Sequence, residues 1–150
     1  MSESVKKSVR LNADTVEIIR ETSQHSEVNW SGSINNIANR YSLLMQDLLP
    51  DMTEKEKMVL VAAYNGHAID NTNIEREVKM FHWQIGEALK YDSNMAELLC
   101  DDADEAINNE VKNGDRAKAF YTKVEGWSFS QRLAALHFAT SYWAPKFLDG

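Results

Sequence analysis

The segment Lys6-Lys7-Ser8-Val9-Arg10-Leu11-Asn12 decides how the chain is read. Polar and apolar side chains alternate along it, and a period of two is the pattern of a strand with one covered face. Val5, Val9 and Leu11 fall on one side and Lys6, Ser8, Arg10 and Asn12 on the other, with Lys7 the exception on the apolar side. A lone strand leaves half its backbone donors and acceptors unpaired. No second alternating run follows, because the remainder reads as helical. The expected partner is therefore the same strand of a second copy, in a two-stranded antiparallel ribbon on a dimer axis.

Two helical segments come next, separated by Trp30-Ser31-Gly32-Ser33. The first is expected from about Asp14 to Glu27, with Val16, Ile19 and Ile18 apolar. The second carries Ile34, Ile37, Ala38, Tyr41, Leu44, Met45 and Leu48 at helical spacing, a face too wide for one small unit to cover. The order of elements, with Val9-Arg10-Leu11 at the strand centre, a turn before Ser33 and then Ile34-Asn35-Asn36-Ile37-Ala38-Asn39-Arg40-Tyr41, resembles the ribbon-helix-helix family of DNA-binding proteins. The resemblance covers residues 5 to 49. It implies an intertwined dimer whose ribbon enters the major groove, which is wide enough to admit two strands.

On that reading the polar strand face supplies the base-reading residues Lys6, Ser8 and Arg10, since an arginine can donate two parallel hydrogen bonds to guanine. The resemblance further implies that Ser31, Gly32 and Ser33, at the start of the second helix, clamp a DNA phosphate through unpaired N–H groups and the positive dipole end. A plain helix cap from Ser31 or Ser33 is the alternative, and both can hold.

The chain has 150 residues, 43% of them hydrophobic, enough for one ordinary domain or a small one joined to a second helical module. Its start lacks the apolar stretch of a signal peptide, and no run is long enough to span a bilayer, so a cytoplasmic protein is expected. The lone Cys100 reads as a buried small residue. A net charge of −7 argues against DNA binding, but the charge is unevenly spread. Residues 1 to 12 carry a net +2, whereas residues 50 to 150 hold eleven Lys and Arg against seventeen Asp and Glu. Such acidity repels a duplex at long range, which predicts weak non-specific binding and reliance on the correct site.

Pro50 and Asp51 mark a boundary, giving a ribbon-helix-helix domain over 1–49 and a helical domain over 53–150 that folds on its own. Thr53 to Glu56, Thr72 to Glu75 and Ser128 to Gln131 have capping-box spacing. Helices are expected from Met58 to Tyr64, from Ile74 through Val78, Phe81, Ile85 and Leu89, from Met95 to Val111, over 115–125, and from Leu133 to Trp143 before Pro145. Together they suggest a compact bundle. Phe81, Phe138 and Trp143 are assigned to the core, while Trp83, Trp127, Phe129 and Tyr142 include candidates for lining a partner groove.

The acidic run Asp101-Asp102-Ala103-Asp104-Glu105, considered with His67 and His82, lacks the ligand spacing of a calcium loop or a paired metal motif, so no metal is expected. There is no glycine-rich phosphate loop, nucleophile motif or supported acid pair, so neither an enzyme nor a cofactor is expected. The sequence thus predicts a mainly helical, dimeric, sequence-specific DNA-binding protein, a transcriptional repressor by preference, with double-stranded DNA, itself and a protein bound through 53–150 as partners. Plasmid segregation, DNA transfer or an antitoxin role would use the same machinery. The competing class is an interaction module or inhibitor acting through the acidic helical domain.

Overall fold

The computed structural model describes residues 10–22, 30–66, 68–70, 72–100 and 115–148. Every regular element among them is a helix: α1 (Ala13–Thr22), α2 (Trp30–Leu48), α3 (Glu54–Tyr64), α4 (Ile74–Tyr91), α5 (Ser93–Leu98), α6 (Asp115–Glu125) and α7 (Phe129–Leu148). The chain divides into two compact units, Met1–Leu44 and Met45–Gly150.

The mainly helical class holds, but the N-terminal ribbon does not. Residues 10–12 carry no strand, and Lys6 to Val9 lie outside the described residues. Asn12, expected as the last outward residue of a strand, instead starts α1. Its Oδ1 accepts the Thr15 N–H at 2.8 Å and its carbonyl accepts the Val16 N–H at 3.1 Å. An asparagine followed by a helical stripe is as good an N-cap as it is a strand end, and here the local side-chain bond to the backbone wins. The ribbon-helix-helix resemblance is thereby overturned. Of the α1 positions, Ile19 is buried and Val16 half-buried, while Ile18 is exposed.

In the second unit, capping fixes where helices begin. The Thr53 hydroxyl accepts the Glu56 N–H at 3.1 Å while Glu56 accepts the Thr53 N–H at 2.8 Å, and α3 ends on Asn65 in the left-handed region at φ 55°. Ser128 and Gln131 repeat the reciprocal pair ahead of α7 at 3.2 and 2.9 Å. The box expected at Thr72 forms differently. The Thr72 hydroxyl donates to Asp70 at 2.5 Å, so Asn73 becomes the cap of α4. Helix α7 also passes through Pro145 to Leu148, even though a proline inside a helix removes one backbone donor and crowds the carbonyl four residues earlier. Of the helix expected from Met95 to Val111, only the start appears, as α5; residues 101–114 lie outside the described set.

The core gathers on α4, whose Val78, Phe81, Ile85 and Leu89 form one buried stripe. Helix α4 packs against α3, α6 and α7, and α3 also packs against α7. Val59, Leu60 and Tyr64 come from α3, Ala117, Phe120 and Val124 from α6, and Ala135, Leu136 and Ala139 from α7. Aromatic edges lock the joints: Tyr64 meets Phe81 and Phe120 meets Trp127 in T-shaped pairs with centroids 6.1 and 6.2 Å apart. The Trp143 indole donates to the Val61 carbonyl at 3.1 Å, which also accepts the Asn65 N–H at 3.2 Å, and so ties α7 to the last turn of α3. Gly86 lets α6 come close, because a Cβ there would stand 3.2 Å from the Tyr121 ring.

Phe120→Ala should cost about 3–5 kcal/mol through lost burial and an unfilled cavity, whereas Thr53→Ala should cost about 1 kcal/mol through one lost cap. Urea denaturation of the full chain, followed by circular dichroism, checks the ranking.

Candidate functional site

Of the base-reading candidates, Lys6 and Ser8 lie outside the described residues, and Arg10 is exposed two positions before the Asn12 cap. The phosphate candidates sit differently from expectation. Among the described residues α2 begins at Trp30, so Ser31, Gly32 and Ser33 lie within the helix rather than ahead of it. Ser31 and Gly32 are exposed, whereas Ser33 is buried, so the three do not form one open clamp.

The second unit places a more coherent set of side chains on α4. Opposite the buried stripe, at the same helical period, lie Arg76, Lys79, Met80, Trp83, Glu87 and Lys90. Trp83 is 60% exposed and Met80 40%, and the three cations beside them are exposed as well. The Lys90 ammonium stands 4.7 Å from the Tyr121 ring centroid, so the C-terminal cation of this face is anchored across to α6. Hydrogen bonding to the Tyr121 hydroxyl, followed by its charge, raises the Lys90 pKa and keeps the group cationic. Glu87 is the single anion in the stripe and is half-buried. An indole flanked by cations and a thioether can stack on or wrap an apolar side chain while pairing with anionic groups around it.

This face was missed at the level of sequence, where Trp83 appeared only among seven aromatics. The signal was available: Arg76, Lys79 and Lys90 stand seven before, four before and seven after Trp83, all spacings that return to the same side of a helix.

Beneath α4 lies a tight polar cluster. His82, Arg132 and the aromatic Trp127 line a crevice with Phe81, Ile85 and Ala135 that has no room for a water molecule. His82 Nδ1, Gln84 Oε1 and Arg132 Nε are buried with no hydrogen-bond partner among the described residues. Burial first, and the Arg132 charge second, hold the His82 pKa below its ordinary value; Glu125 opposes both. At 3.7 Å from His82 Nε2 the Glu125 carboxylate is beyond good hydrogen-bond range, and the ring is accordingly neutral near pH 7. A separate groove of about 240 Å³ opens between Thr53, Leu99, Arg116 and Phe120, where Lys123 is already paired with Glu56 at 3.3 Å.

Among the described residues no three His, Cys, Asp or Glu side chains gather as a metal group, and no helix is long and apolar enough to cross a membrane. The acidic run at 101–105 and His67 lie outside the described residues. No family model, curated protein or solved structure matches this chain.

His82 gives a signed pH dependence. Because the folded state holds its pKa down, the unfolded chain takes up the proton first. The stability contributed by the neutral ring is full above about pH 6.5. It is lost as pH falls toward the lower folded value. Urea midpoints of wild type and His82→Gln at pH 7.5 and pH 5 should show a smaller acid-induced drop in the variant. His137, also lowered by burial, is present in both proteins and cancels in the difference.

Proposed function

We propose that this chain is a non-enzymatic helical interaction protein that docks an acidic, partly apolar protein segment on the exposed face of α4. The observation that carries the reading is Trp83, 60% exposed in a unit that buries Phe81, Phe120 and Trp127. A large aromatic left in solvent among cations is a recognised feature of binding surfaces, where Trp, Met and Arg are enriched and a few anchors supply most of the affinity. Charge complementarity chooses the partner's chemistry: Arg76, Lys79 and Lys90 face outward, with Glu87 the one anion of their stripe and Asp70 near Arg76. The acidity of the whole chain, net −7, disfavours a nucleic acid on the same face, because a duplex senses the field of the entire protein whereas a short segment senses its immediate surroundings.

Peptides selected from a display library against the full chain should combine Asp or Glu with an aromatic or aliphatic anchor. Trp83→Ala should weaken the best of them by about 30-fold, and Lys79→Glu should also reduce binding. Selected peptides that bind Trp83→Ala as well as wild type would sink the reading; so would duplex DNA that binds wild type and is lost with Trp83→Ala.

A second reading is sequence-specific DNA binding by a transcriptional regulator through the N-terminal cations. It is favoured by Arg10, which is exposed in a segment whose charge is opposite to that of the rest of the chain. Both readings are of a cytoplasmic protein, where a lone thiol such as that of Cys100 stays reduced. If Arg10 reads a base, Arg10→Ala should lower affinity for a selected site by roughly 1–3 kcal/mol per contact and leave binding to scrambled DNA little changed. Fluorescence anisotropy on both duplexes makes the comparison, and unchanged site preference removes this reading.

A further inference from the structure

Among the described residues, the start of α3, the residue after α5 and one side of α6 enclose a groove of about 240 Å³. Its wall is apolar: Leu99 and Phe120 are buried behind it, and Ala119 stands at the exposed rim. Three charged side chains complete the lining. Lys123 and Glu56 are joined at 3.3 Å, and the same Glu56 oxygen accepts the Thr53 N–H at 2.8 Å, so this anion is committed on two sides. Arg116 adds a second cation and leaves the lining one positive charge in excess. The Thr53 oxygen accepts the Glu56 N–H at 3.1 Å and keeps its own hydroxyl proton to donate.

We propose that this groove binds a small monocarboxylate with a compact apolar body. Mostly apolar walls with a few placed polar groups are the usual make-up of a small-molecule site. Volume limits the body. Roughly 150 Å³ is enough for a benzene ring, whereas drug-sized ligands need roughly 300 Å³ or more, so about six carbons and an acid group fit the space.

Charge selects the head group. A guanidinium meets a carboxylate through two parallel hydrogen bonds, which suits Arg116, and the Thr53 hydroxyl can add a third donor. An ammonium head would face Arg116 and Lys123, and a doubly charged head would bring its second charge toward Glu56. A neutral molecule forgoes the charge-assisted bonds. None of these residues belongs to the exposed face of α4, so the groove stands or falls apart from the docking reading.

Titration of the isotope-labelled full chain with hexanoate, followed through backbone amide shifts by NMR, tests the proposal. Saturable shifts should centre on Leu99, Ala119 and Phe120, with dissociation in roughly the millimolar range. Hexanol, hexylamine and hexyl phosphate should each bind about fivefold more weakly or worse, and acetate, which lacks the apolar body, likewise. Arg116→Gln should weaken hexanoate about fivefold. Ala119→Leu, which fills the groove from its exposed rim, should abolish the shifts, and circular dichroism checks that both variants keep wild-type helicity. No saturation below about 20 mM overturns the proposal. So do shifts centred elsewhere, any of the four comparison compounds binding as tightly as hexanoate, or unchanged hexanoate affinity in either variant.

Discussion

The second unit depends on the burial of one helical stripe, Val78, Phe81, Ile85 and Leu89 of α4. Helices α3 and α6 have 11 residues each, too short to be stable alone in water, where nucleating a helix costs more than a few turns return. They persist because each lays an apolar face on α4 or on a helix that α4 supports. Gly86 sets how closely one of those neighbours approaches, with the Tyr121 ring lying where a side chain would otherwise stand. The same arrangement has a consequence on the far side of α4. Once one stripe is committed to the core, no described element of the unit covers the residues half a turn away, and Trp83 is left among Arg76, Lys79 and Lys90.

Polar groups inside this packing are held at a cost. His82, Gln84 and Arg132 each bring a buried atom without a partner among the described residues, and desolvation of such atoms is unfavourable by roughly 1–3 kcal/mol. Burial and the Arg132 charge both favour the neutral imidazole, which avoids two cations side by side in one crevice. Protonation would set a second cation beside Arg132, which is the source of the acid sensitivity expected of His82.

Local charge and local hydropathy matter more for this chain than their totals. A net charge of −7 coexists with a helix face carrying three exposed cations, and an acidic partner close to that face meets the cations before the distant anions.

Features that depend on a few neighbouring residues were legible in the sequence. The reciprocal caps at Thr53 and Glu56, and at Ser128 and Gln131, follow from residue types three apart, and the α4 stripe follows from its period. Where two local readings compete, sequence alone misleads. Asn12 closes an alternating run and equally well caps a helix, and the hydrogen bond to Thr15 N–H decides for the cap. Thr72 loses its expected cap to Asn73 because Asp70 accepts its hydroxyl. Exposure belongs to tertiary structure altogether. Trp83 and Trp127 are the same residue type, yet one is 60% exposed and the other buried at 6%. Periodicity says which side chains share a face, but only the packing of α3, α6 and α7 determines which face of α4 meets water.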